Sequence, residues 1–230
     1  MRDRAVFVRS RIISMINDIL TVNLYFFAYS VMHSFMSSHN WKRRVRRVAG
    51  TWFAFYRLVF NITQTLMLIL MLMVMPRPSL ELWRVEDSHR LLFRFIQAGG
   101  TLGLIIAARH FNVQEFLGIN QVRRFFRAQW KTEETDEQYQ LSDTGLFRFV
   151  RHPIYFFSLI IVAFEPQMTL FKALILMWMM IYFYIGSFFE EKRLIRETNG
   201  AYKSYQQQVS RLLPWKWFKL KFDKITGKMD

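Results

Sequence analysis

The chain has 230 residues, 52% of them hydrophobic, with a formal net charge of +15. It contains no cysteine, which excludes disulfides, thiolate metal ligands and a cysteine nucleophile. Its mean hydropathy of +0.08 averages very apolar runs and very basic connectors, so a uniformly soluble domain is excluded, and the length fits one domain or one compact membrane bundle.

A hydrocarbon core of ~30 Å takes about 20 helical residues to cross. Residues 12–36 are long enough, although they carry Asn17, Asp18, Asn23 and His33. A cleaved signal peptide is disfavoured because Asn17 and Asp18 interrupt the apolar region. The basic run Lys42-Arg43-Arg44-Val45-Arg46-Arg47 follows, and anionic headgroups are its expected partner, at ~1 kcal/mol per charge near the surface. Residues 52–75 form a second span and residues 91–108 a third, with Arg94 inside it. Gly99-Gly100-Thr101-Leu102-Gly103 has the small-residue spacing of close helix packing. Residues 133–137 are acidic and read as a solvated loop rather than a metal site. Residues 153–164 are apolar but reach only ~18 Å as a helix. With residues 168–189 they predict a helical hairpin turning at Glu165-Pro166.

The fold class expected is all-α: a polytopic membrane bundle of about five transmembrane helices, with this hairpin and an amphipathic cytoplasmic tail over residues 215–230. Residues 39–51, 109–152 and the C-terminal segment hold 22 of the 32 lysines and arginines. The positive-inside rule makes that side cytoplasmic; Arg2, Arg4, Arg9 and Arg11 pull the other way and are outnumbered. The charge is thereby assigned to topology and headgroups, and nucleic acid is set aside as a partner.

On a helix, residues three, four and seven apart share a face. Asp18, Thr21, Tyr25, Tyr29 and His33 make one polar stripe; Arg57, Asn61 and Gln64 a second; Arg90, Arg94, Gln97 and Thr101 a third. Polar groups at membrane depth usually face a bundle interior or a wet cavity. His33, Arg57, Asn61, Gln64 and Arg94, with Gln121, are therefore candidate substrate contacts. An interhelical hydrogen-bond network without a substrate accounts for the same stripes.

The stretch from Gly145 to Pro214 is the most informative. Gly145-Leu146-Phe147 leads to Arg148-Phe149-Val150-Arg151-His152-Pro153-Ile154-Tyr155. After the hairpin come Glu190-Glu191-Lys192-Arg193-Leu194, then Asn199-Gly200-Ala201-Tyr202, Tyr205 and Leu213-Pro214. Pro153 suits the first position of a helix, whose amino terminus beside Arg151 and His152 would favour a small anion. The glutamate pair ends the last span at the same interface and suits a cation, an amine or sugar hydroxyls. Together these groups complement a zwitterionic cofactor with an apolar base; a plain Arg151–glutamate ion pair fits the spacing too.

This arrangement of G-L-F-x3-RHP-x-Y, hairpin, EExxL, tyrosine-rich tail and proline resembles the signature of integral-membrane methyltransferases. That superfamily includes isoprenylcysteine carboxyl, phospholipid N- and methanethiol S-methyltransferases. The resemblance is strong over residues 145–214. Phe116-Leu117-Gly118-Ile119-Asn120-Gln121 and Pro166-x-Met168-Thr169 resemble the thiol-methylating branch.

The resemblance implies S-adenosyl-L-methionine as cofactor and a small or lipophilic methyl acceptor, thiol slightly favoured, in a bacterial plasma membrane. It implies a division into N-terminal acceptor-side helices (1–110), a cofactor-binding core (111–214) and a basic tail (215–230). Arg151, His152, Glu190 and Glu191 become candidates for the catalytic centre. His152, Pro153, Ile154, Tyr155 and a glutamate of the pair would line the cofactor site, with Tyr139, Gln140, Leu141 and Ser142. Phe147 stands where many members have tyrosine, and Asn199 where phenylalanine is common. Tyr184-Ile185-Gly186-Ser187 lacks the arginine with which prenylcysteine enzymes meet their substrate, which weakens carboxyl methylation. Phospholipid N-methylation and prenylcysteine O-methylation stand as alternatives; a nicotinamide-dependent membrane reductase and a non-catalytic membrane protein are the other classes.

Overall fold

The computed structural model describes residues 2–110, 112–131, 144–198 and 200–226. The acidic loop at 133–137, Tyr139, Gln140, Leu141, Ser142 and Asn199 lie outside the described residues. In chain order the elements are α1 (Arg2–Ser37), α2 (His39–Ala49), α3 (Tyr56–Val74), β1 (Glu81–Arg84), α4 (Asp87–Ala108), α5 (Val113–Leu117) and α6 (Ile119–Phe126). Then come α7 (Pro153–Ala163), β2 (Gln167–Thr169), α8 (Leu170–Glu197), α9 (Ala201–Gln208) and α10 (Trp215–Ile225). Short 3-10 helices cover Gly50–Phe55 and Gly145–Arg148.

The protein is nearly all-α and polytopic. Among the described residues, four stretches are long and apolar enough to cross a membrane: Arg9–Ser37, His39–Val74, Asp87–Ala108 and Leu170–Glu197. As expected, α7 is apolar but too short to cross alone. Many large apolar side chains on these helices are exposed, among them Leu24, Leu70, Leu91, Phe95 and Phe189. Lipid, which needs no polar surface, is the solvent that suits them.

Two features depart from the sequence expectation. The second span starts as a 3-10 turn and becomes α-helical only at Tyr56. The turn of the hairpin also contains a strand: β2 pairs with β1, and the Val85 amide donates to the Pro166 carbonyl at 2.9 Å. Main-chain groups between two apolar helices need partners of this kind. The turn itself leaves no periodic signature because three or four residues are too few.

By contacts the chain divides into two units. The first comprises Met1–Glu81, Asn112–Gln138 and Thr169–Leu174; the second comprises Leu82–Phe111, Tyr139–Met168 and Ile175–Asp230. In the first unit, the Tyr29 hydroxyl on α1 donates to the Gln64 carbonyl on α3 at 3.4 Å, and the His33 ring lies 5.2 Å from that of Phe60. The α5–α6 corner is pinned to α3. Arg57 Nε and Asn61 Nδ2 both donate to the Phe116 carbonyl, at 2.9 and 2.8 Å. Gly118 makes the corner possible: its φ is +89°, and a Cβ there would stand 2.4 Å from the Leu58 amide nitrogen. Arg124 grips Glu115 with two nitrogens, at 3.0 and 2.8 Å. Those hydrogen bonds hold the Glu115 carboxyl below its ordinary range, against the opposing effect of burial.

In the second unit, α7 lies along α4 with little between the backbones. A Cβ on Gly103 would stand 2.4 Å from the Phe157 ring, and one on Gly100 would press Ile160 and Ile161 at 3.2 and 3.1 Å. Gly99 faces open space. The expected packing role therefore falls on Gly100 and Gly103. Gln97 adds a polar tie, with Nε2 donating to the Ile161 carbonyl at 2.8 Å and to Glu165 at 3.1 Å. Leu194, Tyr202, Tyr205 and Val209 form a small core, with Phe147 and Ile195 packed against it.

Three outcomes are expected from thermal unfolding in detergent. Gly118→Ala combines a left-handed backbone with a main-chain clash and Gly103→Ala overpacks a ring contact, so each lowers stability by about 1–3 kcal/mol. Gly99→Ala removes only helix-interior glycine and is neutral or stabilising by about 0.5–1 kcal/mol. Glu115→Gln costs about 1 kcal/mol at neutral pH after solvent screening. Because the folded carboxyl is depressed, that advantage exists above the ordinary carboxylate range and disappears as pH falls through the lowered value; the wild-type and variant melting curves should converge in acid.

Candidate active site

The RHP segment and the glutamate pair meet within the second unit. Pro153 opens α7 at its first position, where a missing amide costs nothing. Just before it, the chain runs parallel to the segment following α9. Val150 bridges Ser210, the Arg151 amide donates to the Ser210 carbonyl at 2.8 Å, and the His152 amide donates to the Arg211 carbonyl at 3.2 Å. This fixes residues 150–152 against 209–211 by main chain alone.

Glu191, 1% exposed, sits at the centre. It accepts from Arg151 Nε at 2.7 Å and Nη2 at 3.2 Å, from His152 Nε2 at 3.0 Å, from Gln206 Nε2 at 2.9 Å and from Arg211 Nε at 3.1 Å. The third arginine nitrogen, Arg151 Nη1, donates to the Gln206 carbonyl at 3.1 Å and to that of Val209. Buried charge is tolerable only when matched and fully hydrogen-bonded, and here both partners meet that condition. Nearby Tyr202 is buried beside Glu191, and desolvation pushes its hydroxyl well above the ordinary range.

Glu190 differs. Its side chain is 19% exposed, against 2% for Glu191. Tyr155 Oη donates to it at 3.1 Å, and His152 Nδ1 is 3.5 Å away. The His152 ring therefore turns one nitrogen to each carboxylate. The Tyr155 ring stacks on His152 at 5.2 Å and on Phe183 at 4.5 Å, with interplanar angles of 4° and 9°. A three-ring aromatic ladder thus stands beside the more accessible carboxylate.

Of the residues singled out from sequence, Arg151, His152, Pro153, Tyr155, Glu190 and Glu191 come together here, with half-buried Ile154 on the first turn of α7. Phe147 is next to this cluster rather than in it: its carbonyl accepts from the Tyr205 hydroxyl at 2.6 Å and its ring meets His110. Tyr139, Gln140, Leu141 and Ser142 lie outside the described residues.

His33, Arg57, Asn61, Gln64 and Gln121 lie in the first unit. Gln121 is fully buried, its Nε2 bracing the Glu115 carbonyl at 2.9 Å. Arg94 lies in the second unit, exposed, its Nη1 on Gln97 at 2.8 Å. Sequence reasoning missed Gln206, Ser210, Arg211 and Phe183. Arg211 also lies 5.6 Å above the Tyr184 ring and 6.0 Å from that of Phe188. The signal that could have found the tail residues is the apolar spacing Tyr202, Tyr205, Val209, which fixes the face of α9 turned inward.

Residues 101–200 match the isoprenylcysteine carboxyl methyltransferase (ICMT) family. A methanethiol S-methyltransferase of a Pseudomonas species is 28% identical over 193 residues, covering 81% of this chain and 69% of that protein. Those of Pseudomonas deceptionensis and Bradyrhizobium diazoefficiens are each 26% identical over 208 residues. They cover 88% and 86% of this chain, and 73% and 68% of their own lengths. No solved structure matches the chain. Relatives of one reaction class along most of the chain argue against a reductase or a non-catalytic membrane protein. The chain is thus a membrane methyltransferase, similar along most of its length to methanethiol S-methyltransferases and, over residues 101–200, to the isoprenylcysteine carboxyl methyltransferase family.

Proposed function

We propose that the protein transfers a methyl group from S-adenosyl-L-methionine to a small or lipophilic acceptor, with a thiol favoured over a phospholipid amine or a prenylcysteine carboxylate. The observation that carries the proposal is the exposed-side carboxylate of Glu190 beside the His152–Tyr155–Phe183 ladder. Such a donor set fits a zwitterionic sulfonium: a carboxylate for its ammonium, and ring faces for its cationic sulfur or its purine, the former worth ~0.5–2 kcal/mol. The thiol preference is supported by the names of the relatives, all methanethiol S-methyltransferases. The match to the phenylalanine-leucine-glycine segment, which Arg57 and Asn61 anchor, supports it as well.

When bound, S-adenosyl-L-methionine supplies an electrophilic methyl group on an excellent leaving group. The chain's residues then have to align and desolvate more than to exchange protons. Glu190, His152, Pro153, Ile154 and Tyr155 hold the cofactor, with residues 139–142 and Phe147 carried over as further contacts. Glu191 and Arg151 act as positioning residues: their atoms are committed to each other and to the 206–211 segment. The helices up to residue 110 receive the acceptor, with His33, Arg57, Asn61, Gln64, Arg94 and Gln121 as its candidate contacts, and residues 111–214 serve the cofactor. The C-terminus is cytoplasmic, in a bacterial plasma membrane. Tyr184-Ile185-Gly186-Ser187 offers no cation to a carboxylate. Arg211, lying over Tyr184 and Phe188, brings one there by another route, which keeps carboxyl methylation as the second reading.

Labelled methyl from S-adenosyl-L-methionine should appear in small thiols when thiols, amine phospholipids and prenylcysteine analogues are offered in parallel; label in none of them, or only in the carboxylate, contradicts the thiol assignment. Thiol methylation should rise with pH as the thiolate fraction grows, whereas a carboxylate acceptor, already ionised, should give no such rise. Glu190→Gln should weaken S-adenosylhomocysteine binding roughly tenfold, one charge-assisted contact, with near-normal stability. Glu191→Ala should instead cost about 3–5 kcal/mol of stability by stranding a buried arginine. Calorimetric titration and thermal unfolding separate the two.

A further inference from the structure

The C-terminal helix α10 has a face the reaction does not use. Trp215, Phe218, Phe222 and Ile225 are 58%, 58%, 62% and 83% exposed. At about 100° per residue they fall within one stripe of roughly 80°. Lys219 and Lys221 fall about 40° outside its two edges, both exposed. The other side is attached to the protein: Trp217 packs edge-on against Phe149 at 5.2 Å, a ring that the edge of Phe218 also meets at 6.2 Å. Lys216 Nζ donates to the Gln206 and Gln207 carbonyls at 2.9 and 2.7 Å, and the Lys216 amide to Ser210 Oγ at 2.9 Å. The Gln206 carbonyl is also held by Arg151.

We propose that α10 is an interfacial anchor whose partner is an anionic bilayer surface, and that its insertion steadies the 206–211 segment and, through it, the Arg151–Glu191–Arg211 cluster. An apolar stripe flanked on both sides by lysines is the pattern of a helix lying in the plane of a membrane, with rings among the acyl chains and ammonium groups snorkelling to the headgroups. Charge selects the partner: Lys216, Lys219, Lys221 and Lys224 stand against Asp223 alone on this helix. A second copy of the chain would bring the same positive charge to the contact, whereas an anionic headgroup layer neutralises it. Each lysine near such a surface contributes roughly fivefold to local affinity. The aromatic contacts of Phe149 and the bonds of Lys216 connect this helix rigidly to the residues that pair with Arg151 and His152.

The absence of native cysteine makes the test clean. Phe222→Cys and Lys224→Cys, on opposite sides of the helix, are each labelled with an environment-sensitive fluorophore in the full-length protein. They are placed in nanodiscs holding one copy, with phosphatidylcholine alone or with added phosphatidylglycerol and a lipid-borne quencher. The probe at 222 should shift to the blue and be quenched, more so with phosphatidylglycerol, while the probe at 224 stays in water. Lys219→Gln with Lys221→Gln should abolish the phosphatidylglycerol dependence. Hydrogen exchange over residues 206–211 should accelerate at least severalfold when Phe222 and Ile225, which make no contact with Phe149, are both replaced by Asp. Equal quenching at 222 and 224, or none, overturns the anchor; burial of 222 only when two copies share a disc makes it a dimer contact instead. Unchanged exchange over 206–211 overturns the coupling to the cluster.

Discussion

A single buried carboxylate organises the second unit's polar cluster. Glu191 reaches the RHP segment, α9 and the stretch after α9 at once, and it does so with its negative charge almost out of water. Burying that charge is costly unless cations and donors surround it. Arg151, His152, Gln206 and Arg211 do so, and in return each is held in one place. The cost of leaving any of them unpaired makes the cluster all-or-none.

The same constraint divides two adjacent, chemically identical residues. Glu190 and Glu191 are successive positions on α8, so their side chains point about 100° apart. One turns into the cluster and is consumed by structure. The other turns toward Tyr155 and keeps exposed surface. The His152 ring bridges them, with one nitrogen toward each carboxylate. The guanidinium of Arg151, a candidate for chemistry from the sequence, ties helix α8 to two main-chain carbonyls.

How much of this was legible beforehand follows from what each interaction leaves in the sequence. The spans, the short α7 and the convergence of Arg151, His152, Tyr155 and the glutamates were readable because hydropathy, proline placement and charged pairs are properties of residue type. The small-residue run announced close packing, but open space at Gly99 and a ring against Gly103 are facts of rotation about α4 that composition does not hold. The pairing of 150–152 with 209–211 uses amides and carbonyls common to every residue, so it left no trace. Phe183 was hidden because in a uniformly apolar helix no face is marked. The strands β1 and β2 were too short for alternation to appear.

The central claim, that Glu190 meets the cofactor while Glu191 holds the scaffold, is tested most directly by an experimental structure of the protein in lipid with S-adenosylhomocysteine bound. The account predicts the ligand's ammonium on Glu190 and its ring or sulfur against the His152–Tyr155–Phe183 ladder, with Glu191 still bonded to Arg151, His152 and Arg211. A ligand bound directly to Glu191 with Arg151 displaced, or bound away from both glutamates, would contradict it.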